Sequence, residues 1–398
     1  MVVGIIGAGA SGMAAAITAA EDPNVQVRLY ERQARVGKKL MATGNGRCNL
    51  SNCNMGVQYY HGEDPEFVTD ALKQVDVLDV RGWFYDLGLH IIADDRDKLY
   101  PFSDQANSVV DILRLALVRD NITLLTGTEV SKLRREGDGF LINDADYCDR
   151  LVIACGGLAG SKLGGSMWGY KLLSKFGHKS TRLRPSLVQL KCDWPGITAL
   201  KGVRCDCDVK IYRDAELFGK SRGELQFTDY GLSGPVIFEI SRDVCYGPGN
   251  WVAVLDLMPM MLRDEFCTVL ERRRERNIPM EELFTGIIHN RLGRVLTKAA
   301  GVTGSSTASL TDAEILQLVE TVKRFEINLT EPMGMDHAQV TAGGVLTADF
   351  DPRTMESRLV PNLFACGEVL DIDGDCGGYN LHWAWASGIV AGKNAGKE

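Results

Sequence analysis

Gly7, Gly9 and Gly12 open a run of small residues, and their spacing sets the first chemistry available to this chain. In a Gly-x-Gly-x-x-Gly turn the first glycine permits the tight bend and the second lets a pyrophosphate approach the backbone. The third allows the following helix to pack closely on its strand. Ala10 and Ser11 join the binding set ahead of that helix, whose free N–H groups and partial positive charge suit phosphate. Glu31 lies 24 positions after Gly7 at the end of the next apolar strand, where a carboxylate accepts hydrogen bonds from ribose hydroxyls and repels a 2′-phosphate. Arg32 follows it and joins the binding set. NADP is thereby disfavoured as the tightly held ligand, while NAD and FAD remain open.

A second segment, residues 37–52, is too polar and glycine-rich for a helix interior and too long for an ordinary turn. Its candidate contacts are Lys38, Lys39, Leu40, Thr43, Gly44, Asn45, Gly46, Arg47, Cys48 and Asn49. Backbone amides in such a loop form an anion nest, and Lys38, Lys39 and Arg47 add charge for a pyrophosphate or a flavin carbonyl. Cys48 has no CxxC partner, since Cys53 is five positions away, and reads as a packing residue rather than a nucleophile.

The third segment is a further glycine signature, residues 362–368, continuing through Leu381. Glu368 and Asp371 offer carboxylates to ribityl hydroxyls. Gly378 precedes a helix whose first amides, those of Tyr379, Asn380 and Leu381, can face the N1–C2=O edge of an isoalloxazine and stabilise the anionic reduced ring. Nucleotide signatures at both ends of one chain indicate a flavoprotein carrying FAD. Tyr230, Tyr379 and His382 are candidates for the acid that protonates substrate. Tyr379 is chosen as catalytic together with Arg47, the latter as an electrostatic residue because a guanidinium does not release its proton. His382 otherwise reads as structural, and Trp383 and Trp385 as core. No metal is expected, because the acids from Glu368 to Asp375 lack EF-hand spacing and Cys205-Asp206-Cys207 lacks a second pair.

The elements that position these residues follow from local pattern. Val2 to Ile6 is an apolar strand, Ala14 to Ile17 a helix and Val25 to Tyr30 a second strand, which makes a βαβ unit. Residues 107–119 have helical periodicity, 122–125 read as a strand, 130–142 as a hairpin, and 151–157 as a strand ending in glycines. From about Pro185 short alternating segments suggest a small β domain. Residues 260–325 look helical and charged, with Thr311 to Glu314 as a capping box. The expected organisation is a Rossmann-like α/β fold with an FAD domain in two parts, 1–184 and 335–398. A small β domain at 185–258 and a helical domain at 259–334 interrupt it. Met258, Met260 and Met261 are expected to pack inside.

A net charge of -8 over 398 residues gives no field for phosphate backbones, so a small molecule rather than nucleic acid is the expected partner. Oligomeric state is not legible. The absence of a signal peptide or a long apolar run, with eleven irregularly spaced cysteines, points to a cytoplasmic protein without a membrane segment.

Taken together, the three segments resemble the BaiN-like flavoproteins, also described as aminoacetone oxidase-like or NAD(P)/FAD-dependent oxidoreductases. The resemblance covers nearly the whole chain and implies that the β domain at 185–258 is a small β-barrel serving as the substrate domain. It is most specific at residues 43–49, at 227–235, and at 367–371 with 377–381. It implies FAD contacts at the first glycine loop, Glu31, the 38–49 loop, the Val130 backbone, Cys155, Gly156 and the residues from Gly367 onward; Gly344 belongs to the same set. Cys376 stands where the family commonly has threonine, and His382 where it has glutamine. The implied reaction is hydride transfer through flavin N5, either NAD(P)H-dependent reduction of an activated C=C bond of the steroid enone type or oxygen-dependent oxidation of a small amine. No second complete Gly-x-Gly-x-x-Gly turn exists for a resident nicotinamide, so NAD(P)H is expected to bind transiently. A redox sensor without turnover is the reading from outside enzymology.

Overall fold

The computed structural model describes residues 1–244 and 246–397. It divides into two compact units, one formed by residues 1–185 with the chain from Ala338 onward, the other by Ser186–His337. No helix among the described residues is long and apolar enough to cross a membrane.

The first unit is built on a five-stranded parallel sheet. Its order is Leu363–Ala365, Arg150–Ile153, β1 (Val2–Ile6), β2 (Gln26–Glu31) and Ile122–Thr126. Parallel strands covered on both faces need continuous apolar runs, and β1 supplies one in which Val3, Ile5 and Ile6 are buried. Between β1 and β2 runs α1 (Ala10–Ala19), nine of whose ten residues are buried. A helix apolar all round is a core helix, and its small side chains let the last helix, Tyr379–Ala395, lie directly against it. A Cβ on Gly388 would come within 2.4 Å of the Ser11 carbonyl oxygen, and one on Gly392 within 2.3 Å of that of Ala15. Trp383 and Trp385, 1% and 0% exposed, fill the core beside this contact as expected. The expected hairpin becomes a three-stranded antiparallel sheet, Leu133–Glu136, Gly139–Ile142 and Asp146–Cys148.

The second unit is a closed six-stranded barrel in the order Leu190–Cys192, Gly231–Ser233, Glu216–Phe227, Arg204–Arg213, Trp251–Asp256 and Phe325–Pro332. Helices Arg263–Glu275, Asn290–Ala299 and Asp312–Lys323 fall between its last two strands. The Thr311/Glu314 capping box is present at the start of the third. The helical domain drawn at 259–334 therefore ends too late, because Phe325–Pro332 closes the barrel by pairing with both Trp251–Asp256 and Leu190–Cys192. The reason is visible in the strand itself, where Phe325, Ile327 and Leu329 are buried while Glu326, Asn328 and Thr330 are exposed, a two-residue period. In the methionine cluster Met258 and Met261 pack, partly buried, against the barrel core as expected, and Met260 departs from expectation. Met260 is 84% exposed, while the carbonyls of Met258 and Met261 accept hydrogen bonds from Lys323 Nζ, which pairs with Asp256 at 2.7 Å.

Candidate functional site

Of the candidate cofactor-binding and catalytic residues all but Tyr230 lie in the first unit, and the site grows from the turn after β1. Gly7 adopts φ +104, which favours glycine. A Cβ on Gly12 would lie 1.8 Å from the Gly7 carbonyl oxygen, so only glycine lets α1 start there. Gly9 is different: a Cβ on it meets no atom within 4 Å, and the same holds for Gly156, at φ +67, and Gly46. The turn therefore presents open space over its second glycine, where the sequence reading puts the pyrophosphate. Glu31 stands beside it. One carboxylate oxygen accepts the Ala8 N–H at 2.9 Å and the other the Gln33 N–H at 2.7 Å, which fixes the group at the strand end with lone pairs remaining.

Three chain segments converge on this turn. The Cys155 Sγ reaches the Ile6 carbonyl at 3.5 Å, and Gly367 sits so close to Ser11 that a Cβ would lie 2.5 Å from its Oγ. Glu368 joins them. It accepts the Thr341 N–H at 2.8 Å and pairs with Lys39 Nζ at 2.8 Å, tying the polar loop to the second glycine signature across 329 positions. Lys38 instead donates to Gln33, Arg32 to the Gly164 carbonyl, and the Val130 carbonyl accepts the Trp168 indole N–H. These three are anchored by bonds outside the turn.

The 38–49 loop folds as a kinked 3₁₀ segment, Leu40–Gly46. Left-handed backbone at Gly44, Asn45, Gly46 and Cys48 bends it sharply, a strained run for the two non-glycine residues. Thr43 donates to the Leu40 carbonyl. Burial pushes the Cys48 thiol up to about 12, so it is no nucleophile. The same burial effect raises Cys148, Cys155 and Cys366 to about 12, whereas Cys53 is exposed. A chromogenic disulfide reagent is expected to react first with Cys53. Cys53→Ser should remove that fast phase and Cys48→Ser leave it intact; the reverse result would mark Cys48 as reactive.

Beyond the loop lies the start of the last helix. Gly378, at φ +101, caps it, and a Cβ there would come within 2.3 Å of the Ser51 carbonyl oxygen. The first amides, of Tyr379, Asn380 and Leu381, precede the first intrahelical bond, His382 N–H to the Gly378 carbonyl. The Asn380 side chain locks Gly374 by accepting its N–H at 2.8 Å and donating to its carbonyl at 2.6 Å. Asn49 Oδ1 is buried beside Gly378 with no hydrogen-bond partner among the described residues.

Several expected residues take other positions. Tyr379 is 6% exposed, with its ring stacked on Tyr59 at 4.4 Å and edge-on to Tyr60. Arg47 pairs with Asp104 and lies 4.1 Å over the Tyr100 ring, both of which anchor its charge. Asp371 is 3% exposed and accepts the Glu63 N–H, and burial raises its carboxyl above the usual range; Gly344 packs against the 370–371 backbone. His382 is fully buried. Its Nε2–H donates to the Val75 carbonyl at 3.3 Å and Nδ1 accepts from the Ser51 hydroxyl at 2.8 Å, while burial pushes the ring down to about 4. A neutral imidazole whose one N–H is committed to a buried carbonyl is not placed to give substrate a proton. Tyr230 lies in the barrel unit, where its carbonyl accepts the Cys192 N–H.

Sequence reasoning missed two features. Thr341 accepts both the Leu158 and Ala159 N–H at 2.9 Å and so shapes the loop after Gly157. His61 Nε2 lies 2.7 Å from Asp375 Oδ1, a dyad whose members are 314 positions apart and carry no spacing signal. The residues present fit FAD, with open space over Gly9 and Gly156, a carboxylate at the end of β2 and a helix N-terminus just after Gly378.

Comparison with known proteins supports this assignment. The family model described as HI0933-like protein Rossmann domain matches residues 1–394. The chain is 39% identical over 405 residues to the 3-dehydro-bile acid delta(4,6)-reductase of Clostridium scindens, covering 99% of this chain and 98% of that protein. It is 32% identical over 389 residues to the ribosomal RNA dihydrouridine synthase of Escherichia coli K12, covering 96% and 95%. Among solved structures a flavocytochrome c3 fumarate reductase aligns over 99% of this chain and 78% of its own, at 16% identity and a TM-score of 0.47, too distant to carry a functional argument. The chain belongs to the HI0933-like family of Rossmann-domain proteins.

Proposed function

We propose that this protein is an FAD-dependent oxidoreductase that reduces a C=C bond conjugated to a carbonyl group. The observation that carries the reading is the 39% identity, end to end, to a reductase of 3-dehydro-bile acid double bonds. The dihydrouridine synthase relative fits the same chemistry, since uridine also carries a C=C conjugated to a carbonyl. A steroid-type enone is the preferred substrate because the acidic chain, at net charge -8, offers little attraction to RNA phosphates.

When bound, FAD supplies the hydride chemistry. The chain's own residues then have separable tasks. The Gly7 to Gly12 turn and the start of α1 receive the pyrophosphate, with Glu31 directed at the ribose. Lys39 and Glu368 hold the polar loop against the second glycine signature. The amides of Tyr379, Asn380 and Leu381 offer hydrogen bonds and dipole to negative charge on the ring edge. Tyr379 orients that helix start through its stack on Tyr59, and Arg47 contributes positive charge beside Tyr100. NAD(P)H is proposed as the transient donor.

The test is an anaerobic titration of the purified protein with NADH and then NADPH, followed by a 4-en-3-one steroid. The visible flavin band is expected to bleach with one nicotinamide and return with the enone. Hydrogen peroxide formed in proportion to aminoacetone, with no bleaching by either nicotinamide, would replace the reductase by an amine oxidase. A protein that dithionite reduces but no donor and acceptor pair turns over would be a redox sensor.

A further inference from the structure

Reduction of a conjugated C=C bond needs a proton as well as a hydride, and the residues so far described do not provide one. His382 is buried and neutral, Tyr379 is locked in an aromatic stack, and Arg47 does not release its proton. A donor must be reachable by substrate and renewable from solvent. The His61–Asp375 dyad meets both conditions, with side chains 34% and 37% exposed and a 2.7 Å bond between Nε2 and Oδ1.

Its placement ties it to the helix start. His61 ends the strand Tyr60–His61, which pairs antiparallel with Asp373–Gly374 in the register His61 to Asp373. The Asp375 N–H donates to the Tyr59 carbonyl at 2.9 Å, and the Tyr59 ring stacks on Tyr379, the first residue of the last helix. Tyr60 donates its hydroxyl to the Tyr379 carbonyl at 3.0 Å. Asp375 is four residues before Tyr379, so the two Cα atoms lie within about 14 Å. Residues 59–61 and 373–379 thus form one braced platform, with the imidazole on its accessible side. Asp375 occupies Nε2, and Nδ1 has no hydrogen-bond partner among the described residues.

Resting on the function proposed above, we propose that His61 is the proton donor of the reaction and Asp375 the residue that orients it. The substrate's β-carbon gains the hydride, and the π electrons move to the carbonyl oxygen as an enolate. The Nδ1–H bond then breaks as a C–H bond forms at the α-carbon, which restores the carbonyl. The neutral imidazole regains its proton from solvent. The substrate is reduced by two electrons, which come from the bound flavin and ultimately from the NAD(P)H-class donor. Around His61 the titratable groups are Asp375, Asp373 opposite it in the ladder, Glu63 and Asp371 beyond, and the phenols of Tyr59, Tyr60 and Tyr379.

The experiment uses holoenzyme reduced with dithionite. Its reoxidation is followed with a 4-en-3-one steroid, which needs carbon protonation, and with ferricyanide, which does not. His61→Gln should slow the enone reaction by about a hundredfold or more, and leave the ferricyanide rate and flavin content unchanged. Asp375→Asn should slow the same step by a smaller factor. A readout without turnover comes from the oxidised holoenzyme, in which the steroid should shift the imidazole resonances of His61, assigned by their loss in the Gln variant. Equal enone rates in wild type and His61→Gln, or unshifted His61 resonances in protein that binds the steroid, would overturn the role of His61 alone. Wild-type protein that neither binds nor is reoxidised by the enone would overturn the reductase reading and the proton donor with it.

Discussion

Gly12→Ala is expected to cost the protein its flavin and to destabilise the apoprotein as well, whereas Gly9→Ala should do only the first. The two glycines belong to one motif, but their surroundings differ. A Cβ at Gly12 would lie 1.8 Å from the Gly7 carbonyl oxygen, a backbone atom that yields only if the turn or α1 moves. Such overpacking costs on the order of 3 kcal/mol, and the displaced turn no longer presents its amides to phosphate. A loss of that size in cofactor binding corresponds to roughly a hundredfold in affinity. At Gly9 no protein atom lies within 4 Å of the added methyl group, and φ is -81, ordinary for alanine. The methyl group therefore meets only what binds over the turn. Thermal unfolding of FAD-stripped protein, beside a fluorescence titration with FAD, separates the two effects. A Gly9→Ala protein that takes up FAD as tightly as wild type would remove the pyrophosphate from this turn.

The second large effect is a pH dependence of stability carried by His382. Its folded-state pKa is pushed down to about 4 from 6.5 by burial among the last helix, Ser51 and Val75. Between those values the unfolded chain binds a proton that the folded chain refuses, so stability is complete above about 6.5 and falls as the pH drops toward 4. The loss amounts to about 2 kcal/mol between pH 7 and pH 5. Glutamine at this position can accept from Ser51 and donate to Val75 without titrating. In urea denaturation His382→Gln should therefore flatten the acid side of the stability profile by about that amount. His178, also depressed by burial, adds a slope of the same sign, and the raised Asp371 carboxyl one of the opposite sign. Both are common to wild type and variant and cancel in the comparison. Parallel profiles would show that His382 is not held neutral.

What could be read from the residues was local. The Gly7 to Gly12 turn, Glu31 at the end of β2 and the glycines before the last helix each owe their form to neighbours a few positions away. Helical and apolar patterning likewise marked α1, the buried Trp383 and Trp385, and the Thr311 capping box. The one clear boundary error, at Phe325–Pro332, was itself a local signal overlooked, since the alternation of that strand follows directly on a charged helix.

The rest depended on distance along the chain. Whether Phe325–Pro332 closes a barrel is decided by partners at Trp251–Asp256 and Leu190–Cys192. Lys39 meets Glu368 and His61 meets Asp375 only because the sheet and the platform bring opposite ends of the chain together. Tyr379 and His382 look alike as candidate acids when spacing alone is considered, but burial holds the histidine neutral with both nitrogens engaged and packing immobilises the tyrosine ring. The sequence by itself determined the nucleotide turn, the fold class and the family, because backbone conformation and periodicity are properties of neighbouring residues. Which side chains can carry charge or deliver a proton was decided only by the tertiary structure, because solvation and partner geometry are set by residues hundreds of positions apart.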